Sequence, residues 1–424
     1  MIALNVVVLP ALDPHAKQEP LFDLAGGPGA ASTDGASFYA KEGREYRRHR
    51  DVVLVDQRGT GGSNPLMRAP HLRSPQDYLN EMYPVEYVKA LRAELETRAD
   101  LTQYTTSIAM DDLDDVRVWL GYDRINLFGL SYGTRAAQVY MRQHPEHVHA
   151  AILAGVVPTY LKMPLYHSEA ARRAMDLLLQ ECERDVACHA AFPEIEREWP
   201  EVLARLGREP ARVQYAPPDK SGPVTVEIQR DIFAEKLRTR MYSRATSQSI
   251  PWIIHQAARS DFGPFLKEVI PADRSGPDFI ADGMYLSVTC AEDTTFIDSA
   301  EAARLNAGNP FGNYRVLQQM RACRLWPRGK IPAGFHDPVS SDIPVLIFSG
   351  NLDPVTPPQR GEEVASHLRN SRHIIIPEGA HSPEGLSDME CLDGLMRTFL
   401  SNPDPHALDA NCVANMRPPP FVIK

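Results

Sequence analysis

Apolar residues in the first part of the chain follow two alternating periods. The run DVVLVD at 51–56 is almost continuously apolar, which is typical of a strand buried on both faces of a parallel sheet. Over 105–120 the apolar positions recur with a helical period, and Gly121 ends the predicted helix. Further strands are predicted at 2–8, 20–25, 124–128 and 150–155. Strands that alternate with helices in this way indicate an α/β fold, with a mostly parallel sheet and helices on both faces.

This alternation stops after residue 158 and resumes near residue 336. The segment between them is rich in arginine and glutamate and shows few strand signals, so we interpret it as an inserted helical cap domain. After it, strands are predicted at 344–350 and 373–377, and helices at 358–369 and 388–400. The predicted domains are the first part of the core at 1–158, the helical cap at 159–335, and the second part of the core with a C-terminal strap at 336–424.

Composition and charge exclude several classes of protein. A chain of 424 residues that is 43% hydrophobic can bury a large core. Its net charge of −10 argues against binding to nucleic acid, and no apolar run approaches the length of a membrane span. The opening MIALNVVVLPAL lacks the basic region, long apolar stretch and cleavage site of a signal peptide. This stretch has the pattern of a strand from its first residues, so we expect an upstream segment to be missing.

Six cysteines permit three disulfides in any of about 15 pairings. They are Cys182, Cys188, Cys290, Cys323, Cys391 and Cys412. The simplest arrangement pairs neighbours: 182–188, 290–323 and 391–412. Disulfides would indicate an oxidising compartment, and we then expect export to the periplasm or the medium. The alternative is six buried free thiols in a cytoplasmic enzyme. No C-x-x-C pair occurs, so no zinc ribbon is expected.

The stretch RINLFGLSYGTRAA at 124–137 places one serine on a tight turn between a predicted strand and a predicted helix. Gly129 and Gly133 stand two positions to either side of Ser131, where backbone segments come close and a Cβ would not fit. Such a turn holds the hydroxyl clear of the sheet at the start of the helix, and this G-x-S-x-G pattern is the nucleophile elbow. The pattern alone fits an ordinary strand–helix turn equally well.

A catalytic serine needs a histidine base and a carboxylate that orients the histidine. In a sheet of this type both should follow later strands, in the order Ser, Asp, His. Asp353 follows the strand at 344–350, and His381 follows the next strand, each in a turn rich in glycine or proline. This order predicts a triad of Ser131, Asp353 and His381 at the carboxyl ends of the strands.

Other acids and histidines fit the pattern less well. Asp342 precedes its strand and should lie at the opposite end of the sheet. His373 begins a strand, which favours a packing role. The histidines that occur too early in the chain to be the base are His144, His147 and His149.

Acyl transfer also needs backbone amides that stabilise a developing oxyanion. The amide of Tyr132, next to the serine, is the first candidate. AGGPG at 25–29 follows a predicted strand, and its closely set glycines let the backbone approach a ligand and leave amides free. We predict that Gly27, just before Pro28, supplies the second amide. The alternative is a plain Gly-Pro turn.

Five motifs together resemble the proline iminopeptidase and tripeptidyl aminopeptidase branch of the α/β-hydrolase fold. They are AGGPG (25–29), DQRGTGGS (56–63), GLSYGT (129–134), GNLDPVTP (350–357) and GAH (379–381). The cysteine-bearing segments CERDVACHAAFP (182–193) and SVTCAED (287–293), with the Cys323 region and the C-terminus, are similar to exported bacterial members that have a C-terminal tripeptidyl-aminopeptidase-like region.

The resemblance implies Ser131, Asp353 and His381 as the triad, with Gly27 and Tyr132 as the oxyanion amides. It also implies that the DQRG loop braces the oxyanion turn without taking part in the chemistry, and we expect its arginine to form an internal ion pair. Two features depart from the family pattern. Alanine stands before GGPG where the cytosolic iminopeptidases usually have histidine, and the stretch after the DQRG loop has no cysteine.

These parts indicate a serine hydrolase that forms an acyl-enzyme and requires no metal or cofactor. We expect it to remove N-terminal residues, either proline or a short peptide, from peptides. The alternative is a carboxylesterase that acts on short-chain acyl esters with the same triad. A third class, a binding protein on a hydrolase scaffold, would normally show a broken triad. Expected partners are a peptide or small ester substrate, with neither nucleic acid nor a membrane span.

An aminopeptidase must also hold the free α-ammonium group of its substrate, which requires carboxylates that face the serine. Glu292 and Asp293, close to Cys290, are the predicted substrate-binding residues. The alternative is that both are surface residues beside a disulfide.

Overall fold

The computed structural model describes residues 2–68, 74–218, 222–271 and 279–424. Its strands are β1 (Val6–Leu9), β2 (Leu21–Leu24), β3 (Val52–Val55), β4 (Ile125–Leu130), β5 (Val148–Ala154), β6 (Ala211–Tyr215), β7 (Val224–Ile228), β8 (Val345–Gly350) and β9 (Ser371–Ile376). Within these residues, a seven-stranded sheet has the order β1-β3-β2-β4-β5-β8-β9, and β6 and β7 form a separate pair.

The large sheet is parallel except at one edge. β1 runs antiparallel to β3. The β3–β2, β2–β4, β4–β5, β5–β8 and β8–β9 pairs are parallel. The carboxyl ends of β2, β4, β5, β8 and β9 therefore meet at one end of the sheet, which is where ligands bind in open α/β folds. The predicted α/β class with a mostly parallel sheet is confirmed.

The described part of the chain contains sixteen α-helices, some of which cover the two faces of this sheet. They are α1 (Ala36–Ala40), α2 (Val85–Leu95), α3 (Thr106–Leu120), α4 (Tyr132–Gln143), α5 (His167–Arg184), α6 (Val186–Ala191), α7 (Ile195–Arg208), α8 (Arg230–Arg240), α9 (Arg244–Ser247), α10 (Ile250–Ala258), α11 (Gly263–Val269), α12 (Asp282–Glu292), α13 (Ser299–Leu305), α14 (Tyr314–Cys323), α15 (Pro358–Ala365) and α16 (Met389–Ser401). Side chains of α2, α3 and α4 share one apolar cluster, and those of α16 belong to another on the opposite face.

The two clusters explain why β3 is apolar at every position. Val53 and Val55 enter the cluster on the α4 face, whereas Val52 and Leu54 enter the cluster on the α16 face. Successive side chains of a strand point to opposite faces, so a strand with both faces covered has no polar position. The continuous run in DVVLVD is thus a consequence of burial on two sides.

Helices α5 to α14 and the β6–β7 pair lie between β5 and β8 in the chain. Many of them share an apolar cluster of their own, with Trp199, Phe233 and Phe265 among its members. The β6–β7 pair was not predicted in this segment, although its strands, ARVQY and VTVEI, alternate between apolar and polar residues. α12 is also unlike a cap helix, because Met284 and Leu286 enter the cluster on the α4 face of the sheet. The three-part domain division stays a prediction.

The C-terminal residues connect the core to the inserted segment. Met416 is buried in the cluster on the α16 face, whereas Phe421 packs against the cluster of the insertion. Val422 N donates to the Gln248 carbonyl at 3.0 Å.

Three disulfides occur: Cys182–Cys188, Cys290–Cys323 and Cys391–Cys412. They follow the pairing of neighbours that the sequence analysis favoured. Over the part of the chain described, we find no helix with the length and apolar character needed to cross a membrane.

The disulfides should differ in their contribution to stability. Cys290–Cys323 spans 33 residues and Cys182–Cys188 spans 6, although all four cysteines are almost completely buried. A disulfide stabilises a protein mainly by restricting the unfolded chain, and more so for a longer loop. Replacing both cysteines of the longer loop with alanine should therefore lower the free energy of unfolding by about 1.5 kcal/mol more than the same change in the shorter loop. Denaturant titration of the two double variants measures this difference, and equal losses would contradict it.

Candidate active site

Ser131 lies between β4 and α4 in a backbone conformation that residues with a side chain rarely adopt. Its φ is 56° and its ψ is −122°. Its N–H donates to the Ala154 carbonyl at the end of β5 at 2.9 Å, and Thr134 Oγ1 donates to the Ser131 carbonyl at 2.6 Å. A strained residue that its surroundings hold in place is characteristic of functional sites. The serine also precedes a 12-residue helix, whose dipole favours negative charge at this end.

The two glycines that flank this serine are required by close backbone contacts. A Cβ on Gly133 would lie 2.0 Å from the Leu24 carbonyl oxygen, and a Cβ on Gly129 would lie 2.5 Å from the Gly133 carbonyl oxygen. Both distances are far below a possible contact. The expected reason for glycine at these positions is therefore observed.

The AGGPG segment lies directly against Ser131. A Cβ on Gly26 would be 3.3 Å from Ser131 Cβ and 3.9 Å from its Oγ. Gly27 follows with a φ of 113°, and its N–H donates to no acceptor in the described part of the chain. An unused amide next to a serine hydroxyl is suited to stabilise an oxyanion. The oxyanion roles of Gly27 and Tyr132 stay predictions.

Asp353 and His381 lie in the turns after β8 and β9 and contact each other. His381 Nδ1 is 2.7 Å from Asp353 Oδ2. Asp353 is completely buried and His381 is 9% exposed. Burial by itself would raise the pKa of Asp353, but the neighbouring His381 and hydrogen bonds from Thr356 hold it below its usual value. An ionised Asp353 favours the tautomer with a proton on Nδ1, which leaves Nε2 free to accept one.

The end of β5 connects the serine to the histidine. Ala154 accepts the hydrogen bond from Ser131 N, and the next residue, Gly155, packs against the imidazole. A Cβ on Gly155 would lie 3.1 Å from His381 Cε1. The ends of β4, β5 and β9 thus bring both predicted residues to the same part of the sheet.

Thr356 completes the surroundings of Asp353 and was missed in the sequence analysis. Its Oγ1 donates to Asp353 Oδ2 at 2.7 Å and lies 3.1 Å from His381 Nδ1. The N–H groups of Val355 and Thr356 both donate to Asp353 Oδ1 at 2.8 Å. The motif GNLDPVTP contains this threonine, and an aspartate that accepts from residues two and three positions later is a recurrent turn. That pattern is the signal that could have identified it.

The inserted segment also holds the loop that carries the histidine. Ser382 N donates to the Tyr242 carbonyl at 2.8 Å, and Arg244 N donates to the Glu384 carbonyl at 3.1 Å. The Tyr242 ring lies edge-on to the His381 ring, with the centroids 4.9 Å apart. Tyr242 thus forms part of the wall beside the histidine, a contact between distant segments that no local sequence motif indicates.

The structure places Glu292 and Asp293 in the interior, and their substrate-binding role stays a prediction. Both are completely buried. Asp293 Oδ1 accepts from Arg135 Nη1 at 2.8 Å, and Glu292 accepts from the N–H and Oγ1 of Thr106 at 2.6 and 2.8 Å. Glu292 Oε2 is also 3.8 Å from Arg135 Nη1. The two carboxylates are therefore not surface residues: Asp293 pairs with an interior arginine, and Glu292 is hydrogen-bonded by Thr106.

This buried cluster reaches the predicted oxyanion residue. Thr106 Oγ1, which donates to Glu292, also lies 2.9 Å from the Tyr132 hydroxyl. Burial raises the pKa of Glu292 to about 7, although Arg135 and the Thr106 N–H oppose the shift. Burial likewise raises the pKa of Asp293.

The DQRG loop has the structural role that the resemblance implied. Asp56 Oδ1 accepts from Thr33 N at 3.0 Å, and Asp56 Oδ2 accepts from Gly62 N at 2.8 Å. The Thr33 bond fastens the loop to the segment that follows AGGPG, and the Gly62 bond closes the loop on itself. Arg58 pairs with Asp112 on α3 at 2.6 Å, which is the expected internal ion pair.

The residues judged less suitable for the triad have other partners. Asp342 Oδ1 lies 3.5 Å from Arg369 at an exposed position, and His373 Nε2 lies 2.9 Å from Ser349 Oγ. The nearest acceptors of the early histidines are Asp111 for His144, the Asp123 carbonyl for His147, and Asn126 for His149. Among the described residues, no group of three or more His, Cys, Asp or Glu side chains is arranged to hold a metal ion.

Two family models match the chain. One, described as alpha/beta hydrolase fold, matches residues 20–209, and the other, described as TAP-like protein, matches residues 308–412. The first range contains Ser131, and the second contains Asp353 and His381. The chain therefore has the α/β-hydrolase fold. Its C-terminal part matches the TAP-like type.

Named relatives agree with this classification. Serine protease Hip1 of Mycobacterium tuberculosis is 22% identical over 88% of this chain and 77% of its own length. Tripeptidyl aminopeptidase of Streptomyces lividans is 22% identical over 95% of this chain and 78% of its own length. A probable proline iminopeptidase of Streptomyces coelicolor is 31% identical over 34% of each chain. The resemblance stated from the motifs is confirmed.

The contacts of Thr356 predict a specific effect of its hydroxyl. Thr356→Val removes a hydrogen bond to an ionised carboxylate at nearly constant volume, and should lower kcat/KM roughly ten- to a hundredfold. Thr356→Ser retains the hydroxyl and should retain most of the activity. Steady-state kinetics of both variants, with circular dichroism to verify folding, test this. Equal losses in the two variants would show that the hydroxyl has no part in the effect.

The raised pKa of Glu292 predicts a pH-dependent stability. A carboxyl group that binds its proton more tightly in the folded state stabilises the protein below its ordinary pKa of 4.5, and this contribution is lost as the pH rises to about 7. Across that window the free energy of unfolding should fall, relative to Glu292→Gln, by up to about 1.4 kcal/mol per pH unit. Denaturant unfolding at several pH values measures this slope. Glu86→Gln, at an exposed position on α2, serves as control. Parallel curves for the native protein and Glu292→Gln would refute the prediction.

Proposed function

We propose that this chain is a serine exopeptidase that removes N-terminal residues from peptides through an acyl-enzyme. Ser131 is the nucleophile, His381 the base, and Asp353 the group that orients and stabilises the histidine. The observation that carries the proposal is the 2.7 Å contact between His381 Nδ1 and Asp353 Oδ2, joined through the end of β5 to a serine in a strained conformation. A histidine held in this way can act as a base toward a serine hydroxyl.

The reaction then runs in two halves. His381 Nε2 accepts the hydroxyl proton while Ser131 Oγ bonds to the substrate carbonyl carbon. The amides of Gly27 and Tyr132 stabilise the oxyanion, and each such donor is typically worth about 10²–10³ in rate. The bond to the leaving amine breaks as the amine takes the proton from His381. Water, deprotonated by the same nitrogen, next attacks the acyl-enzyme and releases the N-terminal fragment with a new carboxylate.

The names of the relatives support a peptide substrate with a free N-terminus. The tripeptidyl aminopeptidase of Streptomyces lividans aligns over 95% of this chain, so its similarity includes the inserted segment as well as the sheet. The probable proline iminopeptidase of Streptomyces coelicolor aligns over a shorter part. We therefore favour release of a short peptide over release of a single proline.

One observation favours an alternative, the hydrolysis of short-chain acyl esters. The carboxylates expected to bind an α-ammonium group, Glu292 and Asp293, lie in the interior, where Asp293 pairs with Arg135 and Glu292 is hydrogen-bonded by Thr106. An ester needs no such acidic pair, and the same triad and amides would serve it.

The three disulfides support a location in an oxidising compartment, the periplasm or the exterior of the cell. A peptide or small ester would be the substrate encountered there.

The first test compares three chromogenic substrates: a tripeptidyl arylamide, a prolyl arylamide and a short-chain acyl ester. We expect hydrolysis of the tripeptidyl arylamide, loss of that activity when its N-terminus is acetylated, and a fall of roughly 10⁴-fold or more in Ser131→Ala. Ser260→Ala is a matched control, because Ser260 also has a positive φ, of 67°, but is exposed in the insertion. It should retain full activity.

Hydrolysis of the ester alone, also lost in Ser131→Ala, would replace the exopeptidase proposal with the esterase alternative. Activity that persists in Ser131→Ala on any of the three substrates would reject the triad itself.

A further inference from the structure

A cavity of about 260 Å³ lies between the sheet and α16, on the face opposite to α4. Its floor consists of alternate residues from adjacent parallel strands, such as Phe128 on β4, Ile152 on β5 and Phe348 on β8. Its roof includes Leu392 and Met396 of α16. Protein interiors rarely leave spaces much larger than a water molecule, and an apolar cavity of roughly 150 Å³ already binds benzene. The volume is therefore sufficient for a ligand.

The polar side chains in the walls already have partners within the protein. The Tyr39 hydroxyl donates to Asp23 at 2.7 Å, and the Tyr46 hydroxyl donates to Asp393 at 2.7 Å. Ser349 Oγ is hydrogen-bonded to His373 Nε2 on β9. The walls thus favour a ligand that makes no hydrogen bonds.

The charge of the walls further restricts the ligand. Asp393 is an acid in the lining, and none of the described lining residues is lysine or arginine. The carboxylate of a fatty acid would find neither lysine nor arginine there and would be repelled by Asp393.

The cavity can be reached from solvent. Phe38, which lines it, is 41% exposed, and Met389 and Met396 on α16 are partly exposed. Methionine side chains are flexible and fit themselves to apolar ligands of different shape. An entrance between α1 and α16 follows from these exposures.

The inner end of the cavity borders the predicted catalytic histidine. Small residues form this end, namely Ala154, Gly155 and Ala380, and His381 itself is part of the wall. Ser131 is not among the lining residues. The cavity is therefore a space behind the histidine and separate from the nucleophile.

We propose that this cavity is a binding site for an uncharged apolar group, an alkyl chain or a small aromatic ring, that enters between α1 and α16 and packs against the loop of His381. The site goes beyond the proposed hydrolysis and does not depend on it, because binding can be measured without turnover.

Isothermal titration calorimetry of the full chain with 1-octanol tests the proposal. We expect saturable binding of one molecule of 1-octanol, and at least tenfold weaker binding of octanoate at pH 8, where it is fully ionised. Absence of saturable heat with 1-octanol would overturn the proposal. Equal affinities for the alcohol and the carboxylate would overturn the restriction to uncharged ligands.

Two variants on the same helix locate the binding. Met396→Trp fills the cavity and should weaken 1-octanol binding at least tenfold. Thr398→Trp adds the same side chain at an exposed position outside the cavity, and should leave the affinity within about twofold of the native value. Met389→Trp provides a second filling variant if the first fails to fold as judged by circular dichroism. Undiminished binding in a folded filling variant would place the ligand elsewhere and overturn the proposal.

Discussion

The contact between Gly133 and the carbonyl of Leu24 determines the geometry of the candidate site. Because Gly133 has no Cβ, α4 can begin in contact with the end of β2, closer than any other residue would allow. Gly129 makes the same close approach possible within the turn. Ser131 is forced into its strained conformation between these two glycines, and bonds from Thr134 and to Ala154 compensate for the strain. One steric requirement thus places a hydroxyl at the point where several strands end.

The inserted segment contacts both of the other loops of the predicted triad. Arg173 on α5 donates to the carbonyl and side-chain oxygens of Asn351 at 2.5 and 2.8 Å, two residues before the predicted acid. Tyr242 and Arg244 hold the loop of His381. The serine turn is held directly by β2, β4, β5 and α4. A movement of the insertion would therefore shift Asp353 and His381 relative to the serine, and the reactive arrangement depends on the insertion staying in contact.

The parts that could be predicted from the sequence are those fixed by local backbone geometry. The positions of Ser131, Asp353 and His381 follow from strand ends and turn residues, which leave clear signals over a few positions. The glycine contacts followed from the same reasoning. The β6–β7 pair was missed although its strands, ARVQY and VTVEI, alternate between apolar and polar residues, because each is only five residues long and lies in a mostly helical segment.

The partners of Glu292 and Asp293 could not be predicted for a different physical reason. Their partner, Arg135, is separated from them by more than half of the inserted segment and all of β5, and no pattern near either carboxylate indicates it. A carboxylate in the interior is costly unless it is paired and hydrogen-bonded. The ion pairing of these acids therefore depends on an arginine that only the tertiary fold brings close to them.

The same buried cluster explains how the helix after the serine is connected to the insertion. Arg135 on α4 donates to the Leu161 carbonyl at 2.5 Å, and Asp293 accepts from Met163 N at 3.1 Å, so the cluster fixes the chain where it leaves the sheet. A buried ion pair of this kind adds little net stability, since the desolvation of its charges opposes their attraction. Its geometric effect is larger: if the segment shifts, a charge loses its partner in a medium that cannot solvate it. These residues thus hold α4, and with it the Tyr132 amide, in register with the insertion.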